Sequence, residues 1–261
     1  MVALTLLMGI TFTSCLDSDD SPAVGYSLGR CVASYPPRFY DLATGKELIL
    51  SGSATTMYTV GNIYSFYYTV PEGQATDAKE YTVLLYNNNE PANISAKSSE
   101  GPMSVSYMAE EANVPMYMLS GSINTNYGSS TVEPAVCNFG GHKYLMVTPV
   151  FWYKNETTSE ALKKEIEKHS FIISYNEEGM KSGDTELVLT LNHVVTDPTE
   201  KRDRWSYLDL RAYDLASAIE TFQEKTGSQP TRIKVVTMAN DASNSLEDAR
   251  EQVWTYTDKQ N

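Results

Sequence analysis

Asp184-Thr-Glu-Leu-Val-Leu-Thr-Leu-Asn-His-Val-Val195 is the stretch that decides the fold class. Leu187, Leu189 and Leu191 alternate with Glu186, Thr190 and Asn192, interrupted only by Val188. A period of two puts the three leucines on one buried face of a β-strand. His193 falls on that same face. On either side, His169–Tyr175, Trp205–Arg211 and Arg232–Met238 read as further strands, and Gln252–Thr257 as a closing one.

Two helical patterns interrupt the strands. Ser159–Lys168 is short, with Leu162 and Ile166 four apart. In the second, Asp214 is a cap and Leu215, Ala218, Ile219 and Phe222 form a stripe at helical spacing. Lys225 suits its last turn, and Gly227 and Pro230 end it. Upstream, Val114–Leu119 is a strand and Ser120–Val132, rich in Gly, Ser and Asn, is expected to be a loop. His142–Tyr153 reads as one long strand apolar on both faces. Pro149, which cannot donate to a ladder, should mark an edge or a bulge in it.

The first third has shorter strands. Tyr26–Ala33, two runs within Phe39–Leu50 around Thr44-Gly45, Ile63–Val70 behind Gly61-Asn62, and Glu80–Tyr86 before Asn87-Asn88-Asn89 recur at about ten-residue spacing, with a hairpin expected at each turn. Lys97-Ser-Ser-Glu-Gly-Pro102 is polar and carries Gly beside Pro, as a linker does. The expected architecture is therefore mainly all-β. A small barrel or sandwich over 24–97 and a linker over 98–105 lead into a β-rich domain over 106–261 carrying one or two short helices. The 18 tyrosines, against 7 phenylalanines and 3 tryptophans, favour strands in the same way.

Met1–Ser14 carries no charge, has an apolar middle and ends in small residues before Cys15, which is the core and processing end of an export signal. At about 20 residues for a bilayer span it is too short to be a membrane helix. Residues 15–23 then turn acidic and turn-rich through Asp17, Asp19, Asp20 and Pro22, as a solvated tether does. These residues resemble a bacterial lipobox. That resemblance implies that the Cys15 sulfur receives diacylglycerol, the signal is cut before it, and the new amino terminus takes a palmitate-type acyl chain. The acid run resembles the surface-export signal of Bacteroidetes lipoproteins and implies an outer-membrane anchor facing the cell surface, the periplasmic face being the alternative. Acyl chains at about 0.8 kcal/mol per buried methylene hold such a protein without a spanning helix.

Tyr40-Asp-Leu-Ala-Thr-Gly-Lys-Glu-Leu48, Tyr144-Leu-Met-Val147 with Phe151-Trp-Tyr153, Lys168-His-Ser-Phe-Ile-Ile-Ser-Tyr175, Glu186–His193 and Trp205-Ser-Tyr-Leu-Asp-Leu-Arg211 follow in that order behind the cysteine. Together they resemble the NigD-like lipoproteins of Bacteroidetes over nearly the whole mature chain. The resemblance implies that the N-terminal barrel is OB-like and that a β-sandwich follows. It carries over no catalytic or binding residue and no cofactor, and the name comes from a bacteriocin-associated operon.

Against that frame few residues point to chemistry. Gly25-Tyr-Ser27-Leu-Gly29 spells a nucleophile elbow, but an acidic tether precedes it and a strand follows, where the elbow needs a strand and then a helix. His142, His169 and His193 show no ligand spacing with Cys31 or Cys137, so no metal site is assigned. His169 and His193 read as hydrogen-bonded core residues. Cys31 and Cys137 could bridge in an oxidising envelope, but more than 100 residues apart they read as separate buried thiols. Asp17, Asp19 and Asp20 lack the glycine and distant glutamate of a calcium loop. Tyr64, Phe66, Tyr67 and Tyr68 cover both faces of one strand, so some of them are available to a protein or glycan partner.

The net charge of −13 disfavours nucleic acid and anionic lipid surfaces. The function expected is that of a non-enzymatic, lipid-anchored envelope protein acting as a binding or accessory module. The alternatives are a surface hydrolase built from scattered acids and histidines, or a bacteriocin-associated export or immunity factor.

Overall fold

A computed structural model describes residues 24–52, 56–75, 77–105, 111–125, 128–139, 141–207 and 210–258. The chain divides into two compact units, one ending at Ser95 and the other beginning at Ala96.

The first unit contains β1 (Val24–Ser34), β2 (Pro37–Asp41), β3 (Glu47–Leu50), β4 (Ile63–Thr69), β5 (Glu80–Leu85) and the short β6 (Ala92–Asn93). The strand order is β1-β2-β3-β5-β4, and β4 returns to pair with β1, so five strands close into an OB-like barrel; β6 adds to β4. Alternation along β4 sends Tyr64, Phe66 and Tyr68 inward, where they pack with Phe39, Leu48 and Val83. Two glycines on β1 make room for these rings. A Cβ at Gly25 would lie 2.7 Å from Tyr68 Cζ, and one at Gly29 2.8 Å from Phe39 Cβ. The Thr44-Gly45 turn does join an antiparallel pair, β2 and β3. The expected hairpin at Gly61-Asn62 does not form: β4 pairs with β1 and β5, while β5 lies parallel beside β3. Barrel closure needs β4 next to β1, which takes it out of reach of β3.

The second unit contains β7 (Met103–Ser104), β8 (Met116–Met118), β9 (Gly121–Thr125), β10 (Gly128–Val132), β11 (Ala135–Phe139), β12 (His142–Val147), β13 (Val150–Tyr153), α1 (Ser159–Glu167), β14 (His169–Tyr175) and β15 (Glu186–Val195). It continues with β16 (Arg204–Tyr207), β17 (Arg211–Asp214), α2 (Ala216–Thr226), β18 (Arg232–Ala239) and β19 (Arg250–Thr257). A mixed sheet runs β16-β13-β8-β18-β15-β14-β7 with β19 on the other edge of β18, and it faces a three-stranded sheet β11-β12-β17. Leu187, Leu189 and Leu191 meet Leu145, Val147 and Tyr213 of the facing sheet, and Phe222 and Ala218 of α2 pack into the same core. The result is a β-sandwich with two helices.

Three sequence expectations change here. His142–Tyr153 is two strands in different sheets, separated at Thr148-Pro149, and each is buried on both faces for its own reason. Residues 121–125 and 128–132 are an antiparallel strand pair, β9 with β10, instead of a loop: Ile123 and Val132 pack on Val150, and two apolar residues among Gly, Ser and Asn were too sparse a signal. Residues 98–105, read as a linker from Gly101-Pro102, lie in the second unit. Ser98–Glu100 forms a 3-10 turn, and β7 pairs parallel with β14. Glu100 is buried and accepts from the N–H groups of Lys97 (3.3 Å) and Phe171 (3.4 Å). Among the described residues no helix is long and apolar enough to cross a membrane.

Candidate functional site

Gly25–Gly29 sits inside β1, with no helix after it. Ser27 and Asp41 are both buried, and the Ser27 hydroxyl donates to Asp41 Oδ2 at 2.5 Å. Asp41 Oδ1 accepts from Thr44 N–H (2.7 Å) and Thr44 Oγ1–H (2.7 Å), so the carboxylate ties the β2–β3 turn to β1. The glycines of the motif serve ring packing, and all three histidines belong to the other unit. Ser27 is a structural hydroxyl.

Two of the histidines do converge. In the antiparallel β14–β15 ladder Phe171 lies opposite His193, which leaves His169 diagonal to it on the core face. His193 Nδ1 is 3.0 Å from the Pro115 carbonyl, which only accepts, so the proton sits on Nδ1. His193 Nε2 is 2.8 Å from His169 Nδ1, and His169 Nε2 is 3.4 Å from Glu165 Oε1; the single proton of the neutral His169 ring serves one of these two contacts at a time. Glu165, at the end of α1, accepts from Lys154 N–H (3.1 Å) and Arg202 Nε–H (3.0 Å), and Lys168 Nζ stands 3.2 Å from its other oxygen. Arg202 also donates to the carbonyls of Asp197 and Glu200. Burial pushes His169 down to about 4 and His193 to about 3, so both rings are neutral near pH 7. Burial works against the Glu165 carboxylate, but its bond from Lys154 N–H and the charges of Arg202 and Lys168 outweigh that and hold it below its ordinary range.

Phe151 and Phe171 close over the rings, with centroids 4.7 Å from His169 and 4.8 Å from His193 respectively. The side chains of Glu165, His169 and Arg202 are at most 2% exposed, so the cluster lies in a core and not in a cleft. Among the described residues no three His, Cys, Asp or Glu gather as metal ligands. His142 is elsewhere, stacked on Tyr144. Glu165 could have been found in the sequence as the helix residue four before His169. Arg202, in a loop, gave no periodic signal.

Of the aromatic group on β4 only Tyr67 is exposed, against Tyr26 at 4.9 Å between ring centroids; Tyr64, Phe66 and Tyr68 fill the barrel. Cys31 and Cys137 are free, buried and in different units. Burial raises both thiols, Cys137 to about 11. In a Cys15→Ser variant, a thiol reagent such as Ellman's is therefore expected to react with neither in the native protein and with both after denaturation. Stoichiometric labelling of the folded chain would contradict the burial. Cys15, Asp17, Asp19 and Asp20 lie outside the described residues.

Among the described residues a cleft of about 580 Å³ opens at one end of the barrel. β3 and β5 run parallel through the pair Leu50 and Val83, and the Ser51 N–H donates to the Val83 carbonyl. Beyond that point the two chains part. Ser51 and Gly52 form one wall, Leu84–Asn88 and Glu90 the other, and Leu50 and Thr69 complete the lining. Tyr86 is 39% exposed, and Asn87 and Asn88 both take left-handed φ, 53° and 54°. Glu90 accepts from the Tyr58 hydroxyl, which fixes the carboxylate at the rim. Volume and partly apolar walls are those of a small-ligand pocket.

Fold and site together define a two-unit β protein with a closed barrel, a helix-bearing sandwich and an open cleft among the described residues. No family model matches the chain, and no curated protein matches it. Among solved structures it is similar to a candidate lipoprotein of Bacteroides fragilis, at 26% identity and TM-score 0.68 over 92% of this chain and 99% of that one. A protein of unknown function from Bacteroides vulgatus shares the fold at 13% identity and TM-score 0.50, covering 91% and 90%. A NigD-like immunity protein from Bacteroides caccae is aligned at 11% identity and TM-score 0.48, covering 92% and 99%. The likeness to the Bacteroides fragilis chain is consistent with the lipoprotein character that the sequence implies.

Proposed function

We propose that the protein is a lipid-anchored component of the bacterial envelope that binds a partner without transforming it, held through Cys15 at the outer membrane and facing the cell surface. The observation that carries this reading is the end-to-end likeness to the Bacteroides fragilis candidate lipoprotein. The apolar leader, Cys15 and the acid run that follows agree with it. The cluster of His169, His193 and Glu165 is sealed in a core, whereas the open cleft at Tyr86–Glu90 holds a single carboxylate and no histidine among its described lining, and that division favours binding over hydrolysis. The net charge of −13 makes a nucleic acid an unfavourable partner.

Growing a Bacteroides host that expresses the full chain with an alkynyl palmitate tests the anchor. Wild type is expected to take the label and sediment with membranes, and Cys15→Ala to lose both. Added protease should trim the wild type on intact cells. An unlabelled wild-type protein in the cytosol would overturn the anchor, and a labelled but protease-resistant one would overturn the surface orientation.

A further inference from the structure

We propose that the cleft at the end of β3 and β5 binds a neutral saccharide; this rests on the reading of the protein as a binding module and names its ligand class. Three features of the walls select that chemistry. First, among the described residues no lysine or arginine lines the cleft and Glu90 is its single charged residue, so a phosphate, sulfate or uronate would meet a carboxylate and no counter-charge.

Second, the apolar part is a shelf and not a closed hole. Leu50 and Leu85 lie beside Tyr86, whose ring is partly open to solvent, and an aromatic face of this kind suits the C–H side of a pyranose. Third, the polar part is concentrated in consecutive residues. The carboxamides of Asn87 and Asn88 bond to no other described residue, each offering a donor and an acceptor, and Glu90 keeps one oxygen free of the Tyr58 bond. A sugar hydroxyl needs both a donor and an acceptor within reach, which an apolar or purely acidic pocket does not supply.

The backbone adds an independent observation. Two successive non-glycine residues at φ near +55° are uncommon, and asparagine tolerates that region at a cost glycine avoids. The strained pair turns the chain between Tyr86 and Glu90, and strain of this kind gathers at ligand-contacting loops. Glycine at position 88 keeps the turn, relieves the backbone and removes one carboxamide, so a binding role and a folding role respond to it in opposite directions.

The test uses the full chain carrying Cys15→Ala, on an array of neutral and acidic oligosaccharides, followed by calorimetric titration of the strongest neutral ligand. The array is expected to retain neutral and not acidic sugars. Tyr86→Ala should weaken Kd about tenfold, the loss of one stacked ring. Asn88→Gly should weaken Kd several-fold with Tm unchanged or raised. Absence of any neutral ligand at millimolar concentration overturns the proposal, as does equal retention of acidic sugars, or unchanged affinity in both variants. Each of those results leaves the palmitate labelling of wild type untouched, so failure of the ligand is distinguishable from failure of the anchor.

Discussion

Lowering the pH from 6.5 to 4.5 is expected to cost the second unit several kcal/mol of stability. The cause is the His169–His193 pair. In the unfolded chain each imidazole takes up a proton near pH 6.5, whereas the folded rings wait until about 4 and about 3. A base with a depressed folded pKa gives full stability above the unfolded value, and that stability drains away as pH falls towards the folded one. Each ring loses about 1.4 kcal/mol per pH unit across the window.

The surroundings allow no easy escape. Glu165 of α1 faces His169 Nε2, but Arg202 and Lys168 already claim that carboxylate, Phe151 and Phe171 cover the rings, and Pro115 fixes the far tautomer. Below pH 4.5 Glu165 joins in the same direction, because a depressed carboxylate also loses its contribution on protonation. Urea unfolding at pH 7.0, 5.5 and 4.5 measures the slope. The double variant His169→Phe, His193→Phe should flatten it whatever its stability at pH 7. A wild-type stability equal at pH 7.0 and 4.5 to within about 1 kcal/mol would refute the account.

Gly101→Ala should cost about 3–5 kcal/mol, as much as losing a large core side chain. The residue has φ +102°, and a Cβ there would lie 2.1 Å from the Ile173 carbonyl oxygen and 3.1 Å from both Ile173 C and Met103 N. All three are backbone atoms of the β7–β14 region, so no rotamer change relieves the clash. Gly183→Ala is the control: its φ is +89°, but nothing lies within 4 Å of the added methyl, so only the backbone penalty of about 1 kcal/mol remains. Thermal unfolding of the pair separates crowding from conformation. Equal losses in the two variants would mean that β7 does not approach Ile173 so closely.

Period-two alternation was enough to place Leu187, Leu189, Leu191 and His193 on the buried face of one strand and His169 with Phe171 and Ile173 on a face of another, because burial of one side of a strand leaves that mark in the residues. The second helix was equally legible at both ends. Asp214 accepts from Ala216 N–H at 2.9 Å, and Gly227 takes φ +89° after the last turn. The pairing of His169 with His193 was not legible, since it depends on which residues of β14 and β15 stand opposite one another. Arg202 reaches Glu165 from a loop, where no period exists to read. The cleft exists because β3 and β5 separate after Leu50 and Val83, and a parallel pairing between residues 33 apart in sequence leaves no local trace. In residues 98–105 a polar composition concealed a strand and a buried carboxylate, because the short parallel pairing of β7 uses backbone groups that any sequence supplies.

That last segment bears on how the protein is dissected. A fragment started at residue 106 would discard Met103–Ser104 and Glu100, baring the flank of β14 and stripping the Phe171 amide of its acceptor. Naked strand flanks recruit other chains, so such a piece is expected to clump. One begun at Ala96 keeps its N–H on the Ala212 carbonyl at 2.8 Å and the border intact, and is the piece to purify when the sandwich is wanted alone.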